Sequence, residues 1–288
     1  MGFLRFLQFS IGTPQPYGAF HIVSFILVVL ITIMACIFGR NIKEKTLSKI
    51  LFILWIVLIV LEIYKQIVFS YVISGDTVTW SYSWYVFPYQ FCATPLTFIP
   101  FIALNKASNK VSAFIKEGCI VFCVTLNLFA GLSVMFYPGD VFMQYLGVDI
   151  HTMIHHGSQV ILGVFIYVYY HNRLKYLSFL KALPVFGFFL VNAMILNAII
   201  PPLFSKDAVF NMFFISWRFP CTLPILADIY TKVPYIIFLL IYILAFALVG
   251  FIIYNIIYWI TWLADKQKPK ETDKYDHTVL AFENDNKE

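Results

Sequence analysis

The chain has 288 residues, of which 61% are hydrophobic and only 12% charged, and its mean hydropathy is +0.82. Soluble domains carry about 25% charged residues, so this composition excludes a soluble globular protein and defines an integral membrane protein. The net charge of +5 implies no nucleic-acid partner, because the basic residues fall in loops where a membrane explains them.

In chain order, the opening MGFLRFLQFSIGTPQPYG lacks the shape of a cleavable signal, and Phe6 breaks the myristoylation pattern. Its FLRFLQF is a short amphipathic stretch suited to the outer interface. Seven apolar stretches follow, each near the roughly 20 residues a helix needs to cross the hydrocarbon. They cover 20–38, 47–73, 87–104, 114–135, 153–170, 179–200 and 233–262. The third and fifth are short, and the seventh is long enough to tilt. Fifteen Lys and Arg fall in the loops after spans one, three and five and in the tail, against four on the other side. That bias predicts an N-terminus outside and a C-terminus in the cytoplasm. The expected fold is therefore all-α: a multi-pass seven-helix bundle of the cell membrane over 1–264. The tail at 265–288, with five Lys and seven acids, reads as a disordered cytoplasmic extension. The sequence shows no internal repeat and no C-x-x-C pair among its five cysteines, which argues against a disulfide framework or zinc ribbon.

Polar groups inside a bilayer are costly and mark candidate sites. The second span carries Glu62, Lys65 and Gln66, which share one helix face and can pair. The third opens FPYQFCATPLTFIP, with Gln90 and Cys92 near its outer end. Pro95 and Pro100 free the carbonyls of Phe91 and Leu96, and such broken helix needs protein or a cavity beside it. The fifth opens HTMIHHGSQ, which clusters His151, His155, His156, Ser158 and Gln159 at the same outer depth as Cys92. Asn127, Asn192, Asn197 and Asn211 either line the same cavity or bond between helices.

A Cys with a His is the minimal nucleophile and base, and a thiolate in a lipid-accessible pocket can carry an acyl group as a thioester. Gln90 would orient the group or donate to the oxyanion. This route needs no cofactor, and its partners are membrane phospholipids. A membrane Cys also packs as a small hydrophobe, and Cys36, Cys119, Cys123 and Cys221 read that way. In a second reading HTMIH is an H-x-x-x-H metal spacing, with His21 joining His151 and His155 in a zinc hydrolase. No acid stands at the right place for it, since Asp76, Asp140 and Asp149 lie in outer loops. A third reading is a transporter or small-molecule receptor with Glu62 and Lys65 along its path, and the missing repeat counts against it.

Taken in order, several residues resemble the YwaF-like integral membrane proteins of bacteria, relatives of a vertebrate ether-phospholipid acyltransferase. They are His21, Glu62, the Pro88–Gln90–Cys92 pattern, His156–Gly157, Asn192, Asn197, NMFF from Asn211, and KVPYII around Pro234 and Tyr235. The resemblance covers roughly 15–260. It implies a seven-helix bundle with a Cys nucleophile and a His partner, here Cys92 and His156, with Glu62 supporting them. Gln90 stands where many relatives have His, and NMFF lacks their usual Tyr.

Overall fold

A computed structural model describes residues 2–204 and 208–266. All but the first two residues of the expected tail lie outside this range. The chain is mostly helical (74%). Its elements are α1 (Gly2–Leu7), α2 (Ala19–Gly39), α3 (Glu44–Val68), β1 (Tyr71–Ser74), β2 (Thr77–Trp80), α4 (Pro95–Leu104), α5 (Lys110–Phe122), α6 (Leu128–Phe136), α7 (Leu146–Tyr170), α8 (Ala182–Phe204), α9 (Leu226–Tyr230) and α10 (Tyr235–Lys266).

Among the described residues, five helical stretches are long and apolar enough to cross a membrane: Ala19–Gly39, Glu44–Val68, Lys110–Phe136, Tyr176–Phe204 and Tyr235–Leu263. The other two expected spans depart from that standard for opposite reasons. The third is apolar but short, Phe91–Leu104, about 20 Å of helix against a hydrocarbon thickness of about 30 Å. The fifth forms α7, 25 residues long and so about 37 Å, but its histidines, Asp149 and Gln159 lower its hydropathy. The second span also stops earlier than expected, at Val68 rather than 73. Beyond it, Tyr71–Ser74 pairs antiparallel with Thr77–Trp80 across a two-residue turn in which Gly75 takes φ +57°, a conformation that favours glycine. This hairpin is the one departure from an all-helical plan among the regular elements described.

Burial ranks the helices. Only 6% of the most apolar window of α2 is buried, against 67% for Lys110–Phe136. The latter is the central helix. It runs from α5 into α6 through a π-helical segment, Cys123–Asn127, and such bulges recur at functional sites. Helix α7 packs against α2, α6 and α3, and α4 packs against α3. Two glycines allow the close approaches of α7. A Cβ on Gly131 of α6 would lie 2.7 Å from the His156 carbonyl, and one on Gly157 would lie 2.4 Å from a Val28 methyl of α2. Small residues at such crossings let membrane helices pack by van der Waals contact.

The prolines of the third segment behave as their chemistry requires. Pro95 occupies the first turn of α4, where its missing N–H is no loss, and the Phe91 carbonyl accepts from the Thr94 hydroxyl at 2.9 Å. Pro100 leaves the Leu96 carbonyl without its helical donor, and the Trp55 indole N–H of α3 donates to it at 2.8 Å. Protein groups, not lipid, face the broken helix.

The amphipathic start forms α1, which clasps the hairpin end of α3. Arg5 bonds the Gly75 carbonyl at 2.6 Å and Asp76 at 2.9 Å, while the Tyr64 and Tyr71 hydroxyls donate to the carbonyls of Leu7 and Leu4. Near the basic loops, Lys116 pairs with Glu44 at 3.1 Å and Lys181 with Glu117 at 2.7 Å.

Candidate functional site

Three elements converge on one buried polar cluster: α3 with Glu62, the turn before α4 with Cys92, and α7 with His151, His155 and Gln159. On α7 the spacing of four puts His151, His155 and Gln159 along one face. His151 faces α3, its Nε2–H donating to Glu62 Oε2 at 3.3 Å. One and two turns further on, His155 Nε2–H and Gln159 Nε2–H both donate to the Cys92 carbonyl, at 2.9 and 2.7 Å. Of the histidines, His155 thus meets Cys92, through the Cys92 backbone. Its sulfur bonds no histidine among the described residues, and Cys92 itself is half-buried.

His156 lies a third of a turn away. Its Nδ1–H donates to the Thr152 carbonyl at 2.8 Å, which fixes the tautomer and leaves Nε2 a lone pair. Glu62 is only 5% exposed, and its charge is balanced locally. Lys65 Nζ and Gln66 Nε2 each reach Oε1 at 2.7 Å, so Oε2 is left to the histidines. Gln66 is held in turn, donating to the Val86 carbonyl at 2.8 Å and accepting from the Tyr82 hydroxyl. Tyr82 lies outside the helices. Burial first, then the nearby Glu62 carboxylate, push its pKa up to about 12, so it stays a donor at any ordinary pH.

The remaining polar residues divide. Gln90 Nε2 donates to the Asn211 carbonyl and Gln90 Oε1 accepts from the Phe213 N–H, both at 3.1 Å. Both ends of its amide are therefore turned to the 211–213 loop, not to an oxyanion at Cys92. Asn197 holds the same loop by two bonds to the backbone of Met212, and Asn211 closes it onto Ser216, Phe219 and Pro220. This clamp holds Phe213 and Phe214 at φ +58° and +59°, each a strained state for a bulky residue. It seats Phe213, fully buried, against Phe91 at 5.2 Å between ring centroids. Asn192 bonds the Phe188 carbonyl of its own helix and takes no part in the cluster. Asn127 is buried in the π segment, its Oδ1 without a partner among the described residues.

His21 does not join His151 and His155. Its Nε2–H donates to the Met135 carbonyl and its Nδ1 accepts from the Tyr17 N–H, so both nitrogens are engaged in tying α2 to α6. The group that does close on the two histidines is Glu62: one ligand atom from each of Glu62, His151 and His155 lies within 4.8 Å of the others. The acid that seemed missing sits in the second span. A face of α3 cannot be set in register against α7 without the packing, so sequence spacing hid it. Gln159 was visible in the HTMIHHGSQ cluster, but its target, a main-chain carbonyl, has no sequence signature.

Beside the cluster a groove of about 570 Å³ runs along α3, lined by Ile59, Ile63, Ile67, Trp80 and Leu96 and reaching Glu62 and Gln66. Fold and composition define a polytopic α-helical membrane protein. The chain matches no family model, no curated protein and no solved structure.

Proposed function

We propose that this protein transfers acyl groups between lipids of the cell membrane, in seven passes with the N-terminus outside, through a thioester on Cys92. The observation that carries the reading is the double pin on the Cys92 carbonyl from His155 and Gln159. It fixes the backbone of a partly buried cysteine at the head of a broken helix, in the chain segment whose Pro88 and Leu96 line the apolar groove. His156, with Nε2 free to accept, is the general base.

In this scheme His156 takes the thiol proton as sulfur attacks the ester carbonyl of a donor phospholipid. The C–O bond breaks and the proton goes to the departing lysolipid oxygen, leaving a thioester. An acceptor hydroxyl then loses its proton to His156 and attacks the thioester, and the thiolate leaves and is reprotonated. Water as acceptor gives hydrolysis by the same steps. Gln90 supports the 211–213 loop and so the Phe91–Cys92 turn.

The test uses the full chain in nanodiscs with a phospholipid donor of one acyl composition and a lysolipid acceptor of another headgroup. Mass spectrometry of the lipids should find the donor chain on the acceptor, and His156→Ala should lower the rate by roughly 10²–10⁴-fold, the usual worth of a general base. Transfer that persists in both His156→Ala and Cys92→Ala would refute the scheme.

A further inference from the structure

The geometry points to a divalent transition-metal site formed by Glu62 of α3 with His151 and His155 of α7. The inference goes beyond acyl transfer and does not depend on it. Two imidazoles and a carboxylate are the donor set that first-row ions such as Zn²⁺ take in sites that keep a position open. All three residues are at least nine-tenths buried, at 5%, 5% and 2% exposure. Bonds of about 2.0–2.1 Å place neighbouring tetrahedral ligands about 3.4 Å apart, and His151 Nε2 already lies 3.3 Å from Glu62 Oε2.

An ion would displace the proton that His151 Nε2 shares with Glu62 Oε2, while the other hydrogen bonds around the cluster leave lone pairs. His155 donates Nε2–H to the Cys92 carbonyl, so its Nδ1 is unprotonated. That nitrogen is buried with no partner among the described residues. A ring held through one nitrogen by a backbone carbonyl, with the other left bare, is the posture of a metal-bound histidine. Gln159, one turn on, likewise donates its N–H and leaves Oε1 buried and unpartnered. On the other side, Lys65 and Gln66 both hold Oε1 of Glu62 and so turn Oε2 inward. An ion here would join α3 to α7 and, through His155, fix the Cys92 carbonyl. Lys65 opposes a cation here, and its salt bridge holds the ammonium on Oε1 of Glu62, leaving Oε2 for the ion.

The full chain in nanodiscs, stripped with chelator and dialysed against Zn²⁺ or Co²⁺, supplies the test. One ion per chain is expected, with the visible absorption of four-coordinate Co²⁺ and X-ray absorption showing two imidazole ligands. Glu62→Gln and His151→Ala should each weaken binding by more than the roughly 10- to 100-fold that loss of a supporting residue costs, and His21→Ala should leave it unchanged. Cys92→Ala should bind the ion normally while losing all acyl adduct, so the two proposals fail separately. Binding well below one ion per chain, or full binding retained in both Glu62→Gln and His151→Ala, would overturn the site. If those variants do not fold, an X-ray absorption spectrum of the wild type without imidazole ligands would overturn it equally.

Discussion

Cys92 is held through its carbonyl by one imidazole and one amide of α7, those of His155 and Gln159. Pinning the backbone fixes where the Cys92 side chain leaves the chain. Gln90 illustrates how a side chain two residues away can matter for another reason. Its amide meets the Asn211 carbonyl and the Phe213 N–H, and leaving a buried backbone group unpaired costs about 1–3 kcal/mol. Gln90→Ala is therefore expected to lower thermal stability clearly. If the variant melts like the wild type, the clamp on the 211–213 loop does not hold. The sequence showed that Gln90, Cys92 and the histidines share a depth, because topology alone fixes depth. It did not show what each amide touches, since Gln90 and Gln159 both bond to main-chain atoms that any residue would offer. The partner of the histidines was hidden for the same physical reason: Glu62 is three residues from Lys65, and that short-range pair was legible, while its contact with His151 crosses 89 positions of chain.

At the scale of elements, periodicity and length found the apolar stretches, because the cost of exposing backbone to lipid leaves little else to choose, but not all their ends: α3 stops at Val68, five residues before the expected 73, and α7 starts at Leu146, seven before the expected 153. The proline logic of α4 was also readable, down to the Leu96 carbonyl that Trp55 now satisfies. Two features were not read from hydropathy. The hairpin at 71–80 carries a signal in its alternating YVIS and TVTW runs about a Gly-Asp turn, masked by the apolar helix before it. The π segment at Cys123–Asn127 carries none, because one extra residue per turn leaves composition untouched. Helix contact yields a further expectation. Gly131→Ala forces a methyl within 2.7 Å of the His156 carbonyl and should destabilise by about 1–3 kcal/mol, as overpacking does. Gly187→Ala meets nothing within 4 Å and should be neutral or better in a calorimetric melt. Equal melting of the two variants would contradict the packing of α6 on α7.

Over the whole molecule, charge and polarity separate along the bundle. Among the described residues, ten Lys and Arg fall at 40–49, 106–116 and 173–181, and there Glu44 and Glu117 pair with Lys116 and Lys181. The hairpin, α1 and the head of α7 lie at the opposite end of the bundle, with the polar cluster reached from that side. The proposed orientation places the hairpin outside. Single cysteines introduced at Thr77 and at Ala107, in a chain otherwise free of cysteine, should react with a membrane-impermeant maleimide from outside and only after permeabilisation, respectively. The reverse pattern would invert the topology and place the site on the cytoplasmic face. The short Phe91–Leu104 segment and the polar α7 are the two expected spans that fall short of a standard lipid-crossing helix, and they are the two that meet at Cys92.

The most direct measurement is the intact mass of the purified protein and of Cys92→Ala after incubation with a phospholipid donor. The account predicts an added mass equal to one acyl chain on the wild type alone, removed by hydroxylamine as a thioester is. A protein that binds the lipid yet gains no adduct, or a Cys92→Ala variant that gains the same one, would contradict it.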